Sequence, residues 1–292
     1  MITNLTIGRY GRLGNQIFQY AAAFSLAKRL NTELWIPSET ETCNTNGRYN
    51  PTIGKLDVYN NDVFKLFDLK YGQKKPTFQI RSKIKSYYKE KNVVQYYPEF
   101  WGLQDGTCLH GYFQAKEYVD AYKEDLISEF SLNNEYFDYG SEYIQKLKKD
   151  FNKIVSVHIR RGDLTTDNHA FNANLSIDKY YKLILDQNTT SNDVVLIFSD
   201  DIDWCKTQFT DTNQIFIDNR TSRLPHLKDF SLMSMCDINI IGVSTFSWWS
   251  AWLNPLKLDK RIFMPNKWWG WSLQHNSEDV YRYDHWVRYE NE

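Results

Sequence analysis

From residue 154 onward the chain alternates short β-branched runs with helical segments, and that rhythm leaves few architectures open. Strands are predicted at 154–159, 194–198, 215–217, 238–241 and 261–264. Helices are predicted at 177–187, from 201, at 225–236 and at 245–253. Strands that alternate with helices are built as a parallel sheet with helices on both faces. Ile154, Val155, Val157 and Ile159 form a nearly continuous apolar run, as a strand covered on both faces requires.

The first half is less regular. Leu5–Ile7 reads as a short strand, followed by a glycine turn and a helix to about Leu30, with Ile17, Tyr20, Ala21 and Phe24 at helical spacing. Glu33–Ile36 and Cys108–Phe113 read as further strands, and 135–150 as a helix, whereas 38–105 shows little pattern. The change of rhythm puts a boundary near 150, dividing the chain into 1–150 and 151–292.

Composition excludes some classes of partner. Lys plus Arg (35) nearly balances Asp plus Glu (36), so no global field favours nucleic acid, and an anionic ligand must be met locally. Cys43, Cys108, Cys205 and Cys236 are widely spaced, with neither a zinc signature nor a disulfide framework. No signal peptide and no apolar run of membrane-spanning length is visible, which leads to the expectation of a cytoplasmic protein. The 16% aromatic share suits sugar surfaces but equally suits a core.

Three loops at predicted strand ends offer donors to an oxyanion: Gly11–Gln16, His158–Asp163 and Gly242–Ser247. Ligands of open α/β sheets bind at the carboxyl ends of strands. Arg160 and Arg161 keep their charge and present planar donor forks that match phosphate, and Gly162 permits a tight turn beside them. A structural salt bridge from one arginine to Asp163 is the plainer alternative. Ser244, Thr245 and Ser247 open a helix, where unpaired amides and the macrodipole favour negative charge. Simple capping by Ser244 or Thr245 explains the same residues. Asp200, Asp201 and Asp203 follow a strand and have two readings: a divalent-metal site, or, for Asp200, a hydrogen-bond acceptor for a guanine or ribose.

With these motifs in place, the chain resembles the inverting α-1,2-fucosyltransferases of glycosyltransferase family eleven, in their soluble bacterial form. The resemblance is carried by Gly11–Tyr20, Gly111–Gln114, His158–Asp163, Phe198–Asp201 with Trp204, and Ser244–Leu253, in consistent order. It implies an α/β, GT-B-like fold of two Rossmann-like lobes with the donor site in the cleft. Residues 1–150 would form the acceptor-side lobe and 151–292 the GDP-fucose lobe. The implied reaction moves fucose from GDP-fucose to the 2-hydroxyl of a terminal β-galactoside in a surface glycan or O-antigen, with no metal or other cofactor. The implied catalytic residues are Arg160, which holds the β-phosphate, and Asp163. The implied binding residues are Gly14, Asn15, Gln16, His158, Arg161, Asp200, Ser244, Thr245, Phe246 and Ser247. One departure is Leu164, where the family usually has tyrosine.

Asp163, Asp167 and His169 are the candidates for a general base, although a carboxylate beside two arginines has a lowered pKa and is a poor base. The motifs define a donor site more than an acceptor, so another linkage or acceptor is the nearest alternative. A non-catalytic glycan-binding protein is the alternative from another class. Residues 70–91 form a basic cluster with Ile84, Tyr87 and Tyr88 between the cations, for which a solvated helix and peripheral contact with an anionic membrane are the two readings. Trp268, Trp269 and Trp271 read as either core or a sugar platform.

Overall fold

The computed structural model describes residues 1–38, 49–50, 55–56, 62–92, 94–162, 173, 175–253, 261–270, 272–273 and 277–290. The chain divides into two compact units, Met1–Asn133 and Asn134–Glu292.

In the first unit the strands are β1 (Ile2–Asn4), β2 (Leu34–Pro37), a two-residue hairpin of β3 (Tyr49–Asn50) and β4 (Lys55–Leu56), β5 (Gly72–Lys75), β6 (Ser86–Lys89) and β7 (Thr107–His110). Five of them form an all-parallel sheet ordered β5-β2-β1-β7-β6. Helix Leu13–Arg29 is buried along nearly its whole length, so it is apolar on most faces rather than along one stripe.

The expected strand at Leu5–Ile7 lies earlier, at Ile2–Asn4, because the Asn4 side chain accepts from the backbone N–H of Thr6 at 2.9 Å and turns the chain. The segment 38–105, which shows little sequence pattern, supplies both edge strands, β5 and β6. Their lysine content disguises them, and lysine is common on edges because it opposes pairing with another chain.

In the second unit, β8 (Ile154–Ile159), β9 (Val194–Ser199), β10 (Gln214–Phe216), β11 (Ile238–Ile240), β12 (Arg261–Pro265) and β13 (Val287–Tyr289) form a parallel sheet ordered β10-β9-β8-β11-β12-β13. Period-two alternation sorts its side chains. Val155, Val157, Ile159, Val195 and Ile197 join one core, and Ile154, Val194, Leu196 and Phe198 join the other.

The boundary lies at 133/134 rather than near 150, because helix Asn134–Leu147 belongs to the second core. Tyr139, Tyr143, Ile144 and Leu147 pack against that core, and Ser231 Oγ donates to the Tyr136 carbonyl. At Gly140 a Cβ would lie 2.6 Å from Ser231 Oγ, so glycine is what lets this helix approach. Trp268 and Trp269 are buried, with ring centroids 4.5 and 5.5 Å from Tyr281, so they are core rather than a sugar platform. Trp271 lies outside the described residues.

Candidate active site

In the second unit's sheet the strand order reverses at one point, between β8 and β11, and in the first unit's sheet β7 lies beside the central strand β1. The crevice outside the carboxyl ends of such a strand pair is where open α/β sheets bind ligands. The loops that follow these strands contain the residues singled out by sequence.

In the second unit, His158 lies at the end of β8, with its ring centroid 5.5 Å from that of Phe246. Burial, assisted by the nearby Arg160 charge and opposed by Asp200, pushes the imidazole down to about 4. His158 is therefore neutral near pH 7, and its buried Nδ1 has no hydrogen-bond partner among the described residues. Such a ring can exchange a hydrogen bond with a ligand but cannot act as a cationic clamp. At Gly242 a Cβ would sit 2.9 Å from the His158 carbonyl oxygen and 3.0 Å from the Tyr181 hydroxyl, so the loop after β11 passes this close only as glycine.

The two arginines have different surroundings. Arg161 places its guanidinium 3.5 Å over the Trp204 ring, and its Nε donates to Asp201 Oδ2 at 3.0 Å. Arg160 is half-buried, at the point where β8 meets the loop and close enough to His158 for its charge to depress that imidazole. In this arrangement both oxygens of the exposed Asp200 carboxylate accept a backbone hydrogen bond. Its Oδ1 accepts from the Arg161 backbone N–H at 2.7 Å and its Oδ2 from that of Gly162 at 3.0 Å. The residue sets the path of the arginine loop.

Asp201 caps helix Ile202–Gln208 by accepting from the Trp204 backbone N–H at 3.3 Å. Asp203 accepts from Arg220 at 2.8 Å and from Lys206 at 3.0 Å. Asp201, through Arg161, and Asp203 are thus held by cations.

Ser244 sits at the N-cap of helix Thr245–Trp252 in extended conformation, without a side-chain capping bond. Ser247 is turned inward, with its hydroxyl 3.4 Å from the Gly242 carbonyl oxygen and 3.2 Å from that of Ser244. Thr245 and Phe246 are half-buried in the first turn, where the leading amides have no intrahelical acceptor. Phe246 packs edge-to-face on Phe230 at 5.4 Å. Asp163, Leu164, Asp167 and His169 lie outside the described residues.

In the first unit, Gly8 and Gly11 have φ of +77° and +78°, and a Cβ on Gly11 would fall 2.3 Å from Asn15 Nδ2. Only glycine relieves both constraints. Asn15 Oδ1 accepts from Gln114 Nε2 at 2.8 Å, joining the loops after β1 and β7. Gln16 bonds inward, its Oε1 accepting from the Val63 backbone N–H at 3.3 Å. Gly14 is buried within the first turn of the helix.

Sequence reasoning missed Glu90. It is buried just after β6, with Oε2 accepting from Tyr112 N–H at 2.7 Å and Oε1 from Phe113 N–H at 3.0 Å. It holds Phe113 at a left-handed φ of +54° and thereby aims Gln114 at Asn15. The only sequence signal was the one acid within an otherwise basic, aromatic stretch.

Burial pushes the Glu90 carboxyl up to about 8, against the two amides, which act to lower it. The folded chain therefore binds this proton more tightly than the unfolded chain. The resulting stabilisation is complete below the ordinary carboxylate value of 4.5 and is lost as pH rises through about 8. Glu90→Gln should flatten the decline in unfolding midpoint across that range, as read by thermal denaturation. An unchanged pH dependence would contradict this assignment.

The chain matches the family described as Glycosyl transferase family 11 over residues 1–290. It is 29% identical to the O-antigen biosynthesis glycosyltransferase WbnK of Escherichia coli, over 95% of this chain and 97% of that protein. It is 30% identical to an alpha-1,2-colitosyltransferase of Escherichia coli, over 88% and 90% of the two chains. It is 22% identical to galactoside alpha-(1,2)-fucosyltransferase 2 of Hylobates lar, over 85% and 68%. Its fold is similar to that of POFUT1 crystallised with GDP-fucose, with a TM-score of 0.51 at 12% identity over 90% and 96% of the chains. The expected GT-B-like α/β class is thus the observed one.

Proposed function

Because the chain belongs to glycosyl transferase family 11, we propose that this glycosyltransferase moves L-fucose from GDP-β-L-fucose to the 2-hydroxyl of a terminal β-galactoside, with inversion. The observation that carries the donor assignment is the arginine loop after β8, held by Asp200 and placed at the strand-order reversal beside the helix starting at Thr245. The acceptor oxygen attacks the fucose anomeric carbon as its bond to the β-phosphate breaks, and GDP leaves with the electron pair. The hydroxyl proton passes to a base or to water.

Negative charge grows on GDP in that step, and Arg160 with the amides of the Thr245 turn is suited to stabilise it. Neutral His158 is suited to a hydrogen bond with the nucleotide. Asp200, Arg161 and Ser247 act indirectly, by shaping the two loops. No metal is required, because fixed cations and helix-end amides meet the charge. In the first unit, Asn15 and Gln114 present polar groups for sugar binding.

A second reading concerns the donor sugar. One relative is named for colitose, the 3-deoxy counterpart of fucose, and a 30% identical relationship favours testing it. Purified protein is given GDP-fucose or GDP-colitose with a galactose-terminated acceptor, with and without EDTA, and the product linkage is read by NMR. An EDTA-resistant fucosyl product at galactose O2 is expected. Transfer from GDP-colitose alone would reassign the donor, and no GDP-dependent transfer would overturn the proposal.

A further inference from the structure

We propose that the face of the first unit's sheet covered by helix Thr77–Lys83 docks on an anionic lipid membrane, through Phe78 and Tyr87 set among Arg81, Lys83, Lys85 and Lys89. Residues 70–91 hold eight Lys and Arg and one acid, Glu90, in a chain whose net charge is −1. Glu90 is buried, so the surface of this stretch is basic.

The segment is not the single solvated helix that its charge suggests. It runs strand β5, helix Thr77–Lys83, strand β6. The helix seats Thr77 and Ile80 inward and leaves Phe78 69% exposed. On β6, Tyr88 packs toward Phe100 and Phe113, so by strand alternation Tyr87 points to the opposite face, where it is 70% exposed. The β1-to-β2 and β5-to-β6 connections cross the sheet in opposite directions, so right-handed crossovers put helix Thr77–Lys83 on the face opposite helix Leu13–Arg29. The Tyr88 cluster, with Tyr118, lies on the Leu13–Arg29 side, which leaves Tyr87 on the side of helix Thr77–Lys83.

Arg81, Lys83, Lys85 and Lys89 are exposed and make no ion pair with a carboxylate among the described residues. Bulky rings at this exposure lose nothing by entering a lipid interface, and cations beside them are attracted to anionic headgroups. The inference does not depend on which sugar is transferred.

The test is co-sedimentation of the full chain with vesicles of phosphatidylcholine, alone or with phosphatidylglycerol, over a range of salt. Binding to the anionic vesicles alone is expected, weakening as salt rises. Lys83→Glu with Lys85→Glu should lower the partition coefficient by about tenfold or more, and Phe78→Ala with Tyr87→Ala by roughly the same factor. Unchanged circular dichroism and unfolding midpoint would establish that both variants fold. Absence of binding to anionic vesicles, or binding unaffected by either variant, overturns the proposal. Retention on heparin without vesicle binding also overturns it, since that assigns the patch to a soluble polyanion.

Discussion

Arg160→Ala should reduce kcat/KM by a factor corresponding to about 3–5 kcal/mol, by comparison with the loss of single donors from oxyanion sites. The expectation follows from the position of Arg160, at the end of the central strand β8 where the strand order reverses. The loss should be mostly in kcat, because charge accumulates on GDP during departure rather than on binding.

Arg161→Ala provides the contrast. Its guanidinium is engaged with the Trp204 face and with half-exposed Asp201, an arrangement worth about 1 kcal/mol. It should lower the unfolding midpoint slightly and activity by about tenfold or less. Steady-state kinetics on the two variants distinguishes them, and equal losses would contradict the division of roles.

Asp200→Ala should be the second large effect, with kcat/KM falling by about a hundredfold through misplacement of the arginine loop. Two backbone amides, those of Arg161 and Gly162, lose a charged acceptor, and each such bond is worth about 1.5–3 kcal/mol. Asp200→Asn keeps one acceptor oxygen and should fall between the two. If Asp200 instead recognised the nucleotide base directly, both variants would weaken GDP binding while inosine diphosphate binding changed less. Calorimetric titration with the two nucleotides separates these cases.

The second unit was the more legible in sequence because its central strands β8, β9 and β11 are buried on both faces, whereas the edge strand β13, with two exposed residues of three, went unread. Ile154–Ile159 needs apolar residues at nearly every position, so its limits are visible as the points where charge begins. In the first unit, edge strands β5 and β6 carry lysines and read as solvated loop or helix. The unit boundary was misplaced because the long connection from Asn134 to Leu147 packs on the later core through residues that sequence alone cannot pair.

The site was legible in its motifs and less so in its division of labour. Asp200, Gln16 and Ser247 were read as groups facing a ligand; in the fold Asp200 also holds the backbone of Arg161 and Gly162, Gln16 that of Val63, and Ser247 the carbonyl oxygen of Ser244. A sequence shows which polar residues gather at strand ends but not which of them are consumed in shaping the turn. Glu90 is the converse case, since its role depends on a contact with Tyr112 and Phe113, 22 and 23 residues away.

The central claim is that the loop after β8 forms a GDP-sugar site anchored by Arg160. Calorimetric titration of GDP into the native protein, Arg160→Ala and Arg161→Ala tests it most directly. Saturable binding of GDP in preference to UDP is expected for the native protein, nearly retained in Arg161→Ala and weakened by at least about tenfold in Arg160→Ala. GDP binding of native strength in Arg160→Ala, or no preference for GDP over UDP in the native protein, would contradict it.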